Sequence, residues 1–479
     1  MIALGVVALL LLAYTTVRAC TVSFTWDESY TFMHHVRKGV FYQDAFDKMG
    51  GNHHLLNVWL MWLSMKLFGV GELALRLPNL VAHVCYLYAT SRIALKAERT
   101  WLVVAVFLLM NVHPYLLDFF SLARGYGLAM GWMMLSAWCI WNWLGTDLGR
   151  RWLVRASVFA VLSAMSHVIM INYLLAFDLV VAGWLVVSAR RKAARLPLAD
   201  LAWVAGISAI GLCIMLPNAL GLFSGGSLNF GCDTAYWCML YTLGVKVLYH
   251  MSYADQALPI LTAFIAGIVV LFSIMLVAAR RKENGLKAGP ALFVFLVLAT
   301  CFLSFMAQHK LFGVPWPQTR TALFLVPLLA LLLCAVLLAW PRPGIAIAMA
   351  AVLFIVPLVI HQYKSINTTY AVEWKPSGEL RAMLKTIEND RLPPSKDRPI
   401  TTLGISFESW GSLSYYSLVR GMTWLTADVR EGPKDFAPSD YYIVEYDGYD
   451  RVDTANWIVL YRSEPTNTTL YRDKRLRDG

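Results

Sequence analysis

Two carboxylates stand side by side in the stretch TVSFTWDESYTFMHH, as Asp27 and Glu28. They follow an apolar run that opens at the second residue, at the point where a membrane span should give way to water. Neighbouring side chains on one helical turn point in different directions, so each acid can hold its own role. One can accept a proton from an attacking hydroxyl while the other fixes geometry or a cation. The plainer alternative is a pair of solvated loop charges. A second group follows in NHHLL. There Asn52 reads as a helix N-cap with His53 and His54 in the first turn, where free N–H groups and the helix dipole suit an anion. Imidazoles in such a turn can grip a phosphate, assist a metal, or simply cap their own helix. Further along, SLARGYGL places Arg124 and Tyr126 at the start of a span, and Arg320 in WPQTRTALFLV and His167 in MSHVIM mark other span ends. A guanidinium suits bidentate phosphate recognition, though at a membrane edge it also snorkels. Glu28, His53 and His54 are the candidates for a divalent cation, without the regular spacing of an established metal motif. No P-loop, GxSxG, HExxH or dinucleotide fingerprint is present.

The chain that must position these groups is 479 residues long, 58% hydrophobic and only 15% charged. Soluble domains run at roughly 45–50% apolar and about 25% charged, so this is an integral membrane protein with many helical spans. The apolar blocks are close to the ~20 residues that cross a roughly 30 Å hydrocarbon layer as helix. Eleven spans are expected, at about 2–20, 72–92, 98–115, 122–144, 152–166, 168–189, 199–219, 256–279, 289–308, 320–340 and 343–361. His167 separates the fifth from the sixth; without a break there, the two would form one long kinked segment. Basic clusters at Arg92/Lys96/Arg99, Arg150/Arg151/Arg155, Arg190/Arg191/Lys192/Arg195 and Arg280/Arg281/Lys282/Lys287 occupy alternate connections, and Arg342 lies in the last of them. By the positive-inside rule those connections are cytoplasmic, and the other connections and the C-terminus face outward. The net charge of +11 is thereby topogenic, and no basic and aromatic interleaving points to nucleic acid. The first span carries no Lys or Arg ahead of it and reads as retained rather than as a cleaved signal peptide.

Three regions follow: an outward loop at about 21–71, the remainder of a membrane domain covering 1–361, and a tail at 362–479. The loop segments HHVRKGVFYQDAFDKM and NHHLLNVWLMWLSMKLFG carry apolar residues at helical spacing and read as surface-lying amphipathic helices. In the tail, SGELRAMLKTIEND reads as a helix and PITTLGIS, DYYIVEY and NWIVLYR as strands, giving a small extracytoplasmic α/β domain. Sequons stand at Asn367 and Asn467. Of the eight cysteines, Cys232 and Cys238 differ from the rest because both lie in the outward loop 220–255, where an oxidising compartment would allow a structural disulfide.

Four stretches in order resemble the GT-C polyprenyl-phosphate-sugar glycosyltransferases, in the branch that holds protein O-mannosyltransferases and lipid A aminoarabinose transferases. They are WDESYT, NHHLLNVWLMWLSMKLFGVGELALRLPNL, SLARGYGLAMGW and PWPQTRTALFLVPLLALLL, and the likeness covers roughly residues 5–340. The resemblance implies an inverting transferase that moves a sugar from a polyprenyl-phosphate carrier to a lipid, glycan or protein acceptor. By it, Asp27 is the general base or orienter of the acceptor nucleophile and Glu28 supports it. His53, with His54, Arg124, Tyr126 and Arg320, would contact the donor phosphate. Relatives often carry a Lys or His before a Pro-Pro pair, whereas this sequence has His54-Leu55 there; Asn52 stands where some relatives have a Glu that would bear on a metal. The expected setting is a bacterial inner membrane, with the active site and tail extracytoplasmic and membrane lipids as neighbours. The rival classes are a transporter or flippase of a lipid-linked substrate and a non-catalytic scaffold. Transporters place ionisable residues near mid-membrane and show inverted repeats, whereas these charges cluster at span ends and no repeat is found.

Overall fold

The computed structural model describes residues 2–43, 50–145, 149–193, 195–226, 230–234, 236–281, 287–340, 344–391, 400–429, 439–445 and 456–474. Seventeen helices and five strands are built from these residues. In chain order the helices of the first 366 residues are α1 (Ile2–Thr21), α2 (Trp26–Thr31), α3 (Leu55–Phe68), α4 (Glu72–Ala94), α5 (Thr100–Asn111), α6 (Pro114–Phe120), α7 (Gly125–Gly145), α8 (Arg150–Ser166), α9 (Ile171–Arg191), α10 (Leu198–Ser224), α11 (Tyr236–Val247), α12 (Ala257–Arg280), α13 (Gly289–Phe312), α14 (Leu325–Leu337) and α15 (Ile345–Ser365). The tail holds α16 (Leu380–Asp390) and α17 (Phe407–Val419), with strands β1 (Thr401–Ile405), β2 (Leu425–Val429), β3 (Tyr441–Glu445), β4 (Trp457–Ser463) and β5 (Thr468–Asp473).

A helix stands at each of the eleven expected spans. Seven segments of the described chain are long and apolar enough to cross a membrane by length and composition, or eight if the α5–α6 pair counts as one. That pair is bent by 67°, so the span expected at 98–115 is broken after Asn111, where His113 is extended and Pro114 starts a new helix. Of the helices that fall short of that test, α4 carries the buried polar groups Arg76, Asn79 and His83, and α8 is only 17 residues long with Arg150, Arg151 and Arg155 exposed in its first turns. On α4 the polar groups are turned inward, which lowers its mean hydropathy without exposing those groups. The break expected at His167 is present: α8 ends at Ser166, and His167 is extended with φ −157°. The loop differs from expectation. The chain after α2 continues as one π-helical turn, Phe32–Val36, in place of a long amphipathic helix, and 44–49 lie outside the described residues. Lys282 and Arg342 also lie outside them.

The chain divides into two compact units. The first comprises Met1–Thr15, Phe41–Leu60 and Leu77–Ile366; the second comprises Thr16–Val40, Met61–Arg76 and Asn367–Gly479. In the first unit α7 packs on α8, α8 on α10, and α9 on α13, with α14 almost wholly buried. The second unit joins the acid-bearing loop to the tail. Its sheet has the order β2-β1-β3-β5-β4, with β1 parallel to β2 and β3, and β5 antiparallel to β3 and β4. The helix and three strands expected in the tail are present as α16, β1, β3 and β4. β2, β5 and α17 were not expected, because LTADV and TTLYRD mix charge into short Thr-rich runs. Gly404 on β1 lets the Tyr442 ring sit where a Cβ would be only 2.0 Å away.

Candidate functional site

In the second unit, Thr25 and Glu28 form a capping box at the start of α2. The Glu28 N–H donates to Thr25 Oγ1 at 3.4 Å, and the Thr25 N–H donates to Glu28 Oε2 at 2.9 Å. Glu28 is fully buried, and both its oxygens take a guanidinium: Arg76 Nε donates to Oε1 at 2.8 Å and Nη2 to Oε2 at 2.7 Å. The remaining Arg76 N–H groups donate to carbonyls at the end of α1: Ala19 at 3.0 Å, Val22 at 2.7 Å and Ser23 at 3.1 Å. Every donor of this buried cation is therefore satisfied. Asp27 is 4% exposed, beside that lock in the first turn of α2, where the backbone N–H groups favour a carboxylate. Glu28 is thus held in the turn by the capping box and by Arg76, and Asp27 stands next to it on α2.

The tail braces the same turn. Tyr416 Oη receives the Phe24 N–H at 2.8 Å and donates to Glu72, while Tyr415 stacks on Phe24 at 4.2 Å. Burial, and then the Glu72 carboxylate, push the Tyr416 hydroxyl well above its ordinary pKa, so it stays a donor. Arg381 of α16 pairs with Glu72 at 2.5 Å and caps the Cys20 and Thr21 carbonyls. Trp26 lies against α17, where a Cβ on Gly411 would come within 2.4 Å of its ring.

In the first unit, α3 begins at Leu55, so Asn52, His53 and His54 precede the helix instead of occupying its cap and first turn. Asn52 ends a 3-10 turn, and the Val58 N–H bonds to the His54 carbonyl at 2.9 Å. The correction has a simple cause: Asn52 is engaged elsewhere, accepting Arg124 Nη2 on its side chain at 3.0 Å and Arg124 Nη1 on its carbonyl at 3.4 Å. Arg124 is 1% exposed and also lies 5.9 Å over the Tyr126 ring. Three rings close the group: His54 to His167 at 4.3 Å, Tyr126 to His167 at 4.2 Å, and His54 to Tyr126 at 5.4 Å. Gly125 makes this approach feasible, since a Cβ there would meet the Ser166 carbonyl at 2.0 Å and His54 Cβ at 2.8 Å. An amide relay holds the helix starts: Asn79 donates to Asn57 at 3.2 Å, Asn57 to the Ala123 carbonyl at 3.1 Å, and the Leu128 N–H to Asn79 at 3.0 Å.

Electrostatics tie Arg320 to this group. Burial, followed by the charges of Arg124 and Arg320, pushes His167 down to about 3. Burial, then Arg124, His167, His53 and Arg320, likewise hold His54 well below its ordinary value. Both imidazoles are neutral at neutral pH, and His167 Nδ1 accepts the Ile169 N–H at 3.2 Å. Two guanidinium groups thus raise the potential at one buried place, which is what an anionic ligand needs. Arg320 stands on the 3-10 turn Thr319–Ala322 and covers the Phe230 ring at 4.8 Å. The segment before it pairs with a second loop through Cys232 and Trp316, at 2.8 and 2.9 Å, and Cys232 is disulfide-bonded to Cys238. A cavity of about 210 Å3 between α11, α12, α13 and α14 is lined only by Leu, Ile, Val, Ala and Phe, among them Leu243, Phe302 and Leu325.

The sequence-expected residues therefore fall into two sets, Asp27 and Glu28 in one unit and His53, His54, Arg124, Tyr126, His167 and Arg320 in the other. Arg76 was missed, although an Arg inside the apolar run ALRLP was a signal for a buried partner. Asp118, which accepts Tyr249 Oη on both oxygens at 2.9 and 3.0 Å, was missed as well. Among the described residues no group of three or more His, Cys, Asp and Glu is placed to hold a metal ion. Glu28 does not fit that role, because Arg76 occupies both its oxygens.

No family model matches the chain, and no curated protein matches it in sequence. Its architecture does match solved structures. The crystal structure of ArnT from Cupriavidus metallidurans bound to undecaprenyl phosphate aligns with a TM-score of 0.50 and 12% identity, over 98% of this chain and 97% of that one. The apo form of the same protein aligns at 0.48 and 13% identity, with the same coverage. The Archaeoglobus fulgidus oligosaccharyltransferase complex with zinc and sulfate aligns at 0.43 and 14% identity, over 97% of this chain and 73% of that one. The chain thus shares the fold of the ArnT structure over nearly its whole length, with a small sheet-bearing tail.

Proposed function

We propose that the protein is an inverting glycosyltransferase that moves a sugar from a polyprenyl-phosphate carrier to a lipid, glycan or protein acceptor on the extracytoplasmic face of a bacterial inner membrane. The observation that carries this reading is the buried cluster of Arg124, His54 and His167, on which Arg320 also bears. It suits a phosphate ester, and the all-apolar cavity between α11 and α14 suits an isoprenoid chain. The fold shared with a protein bound to undecaprenyl phosphate supports the same ligand class.

A lipid-phosphate sugar is already activated, because phosphate is a good leaving group. The protein has three tasks: to hold the phosphate, exclude water and take a proton from the acceptor. Arg124 and Arg320 hold the phosphate and stabilise the charge that grows on it as the glycosidic C–O bond breaks, with His53, His54 and Tyr126 around it. Asp27 accepts the acceptor's proton as its oxygen or nitrogen attacks the anomeric carbon. Glu28 and Arg76 act through Asp27's backbone and are positioning residues. Asp27→Asn should abolish transfer while leaving donor binding intact, whereas Arg124→Ala and Arg320→Ala should weaken donor binding by about tenfold or more each. The check is turnover and donor affinity measured separately on purified protein. Near-normal turnover in Asp27→Asn, or unchanged affinity in both arginine variants, would sink the reading.

A further inference from the structure

A cavity of about 490 Å3 belongs to neither the acid turn nor the imidazole cluster. It lies at the basic ends of the spans, where α4 gives way to the loop at 95–99, α7 ends at Gly145, α13 begins at Gly289 and α14 is followed by Trp340. Three tryptophans, Trp141, Trp184 and Trp340, form its walls, and all three are half-buried. Two ammonium groups border it, Lys96 and Lys287, together with one carboxylate, Glu98. Lys96 donates to Asn142 at 3.0 Å, a neutral partner. Partial burial and then the positive charges of Arg92 and Lys287 draw its pKa down, so the two ammonium groups lie close enough to act on one anion together. The first turn of the 24-residue helix α13 opens at the same place. Tryptophan walls with lysines at their rim match the depth at which a lipid headgroup meets its acyl chains.

We propose that this cavity is a binding site for one anionic phospholipid, its phosphodiester between Lys96 and Lys287 and its acyl chains along the tryptophan walls. The site is independent of the proposed reaction, since it shares no residue with that machinery. The chemistry it recognises is a phosphate monoanion. A lipid source is favoured over free phosphate because three half-buried indoles and aliphatic side chains such as Leu102, Leu144 and Leu338 line the cavity beside its few polar groups.

The test is native mass spectrometry of the full-length protein in detergent, titrated with phosphatidylglycerol or phosphatidylcholine, with inorganic phosphate as competitor. One phosphatidylglycerol should be retained preferentially, and Lys96→Gln/Lys287→Gln should weaken it by roughly an order of magnitude or more. Glu98→Gln removes the one opposing charge and should strengthen it, a gain that a misfolded variant would not show. Equal retention of phosphatidylcholine, an unchanged double variant, or Glu98→Gln binding no tighter than the parent would each overturn the proposal. Displacement by inorganic phosphate at matching concentration would assign the site to a soluble anion and overturn the lipid.

Discussion

At Glu28 the carboxylate, the capping box and two of the five Arg76 guanidinium bonds meet in one fully buried place. Removing one member of such a pair leaves a buried charge without compensation, at a typical cost of about 3–5 kcal/mol. Glu28→Gln is therefore expected to lower the thermal midpoint in detergent sharply, and Arg76→Lys should not rescue it, because a lysine cannot offer the fork. Asp27→Asn should leave that midpoint nearly unchanged; a matching collapse would mean that Asp27 too is structural. His167 makes a second prediction. Its ordinary value of 6.5 falls to about 3 on folding, so below 6.5 the unfolded chain binds a proton that the folded chain does not. Stability is full above that value and is lost as pH falls, at about 1.4 kcal/mol per unit for each such group. His54 adds a slope of the same sign. Midpoints measured from about pH 7 to about pH 5 should drop steeply in the parent and less so in His167→Asn. Equal slopes would refute the buried neutral imidazole.

Among the elements, the spans were readable from hydropathy because water and lipid impose one simple rule on every residue of a crossing helix. What could not be read is where polar side chains on those helices find their partners. Arg76 looks like any edge charge until Glu28, 48 positions away, is seen against it. Asn52 satisfied the local rule for a cap, yet Arg124, 72 positions on, claimed its side chain and moved the helix start to Leu55. The imidazole cluster was legible as a list of polar span ends but not as a set of touching rings. Two glycines carry geometry that no pattern announces. Ala at Gly125 would press its Cβ into the Ser166 backbone carbonyl, and we expect Gly125→Ala to lose more than about 3 kcal/mol or fail to accumulate folded protein. Ala at Gly411 meets a movable ring instead, so Gly411→Ala should cost about 1–3 kcal/mol and lower turnover by shifting Trp26, the residue before Asp27. Unaltered melting and turnover in Gly411→Ala would reject α17 as the seat of that turn.

For the molecule as a whole, the chief surprise is that the tail is no appendage. Composition marks residue 362 as the point where membrane sequence ends, but Thr16–Val40 and Met61–Arg76 form one compact unit with the sheet and its helices. A chain ending at Ile366 would lose Tyr415, Tyr416 and Arg381 from around Phe24 and Glu72. We expect such a truncation to open the stretch around residues 21–40 to limited proteolysis while α8 to α10 stay protected; equal protection of that stretch would show that it holds its shape unaided. Arg76 also fixes distance along the first helix. Its guanidinium grips the carbonyls of Ala19, Val22 and Ser23 on one side and Glu28 on the other. That grip works like a rivet through the helix end, and Asp27 cannot slide up or down α1 by even one residue without shearing it. On the proposed role of Asp27, its carboxylate is a stationary post, and the travel belongs to the substrates that come to it.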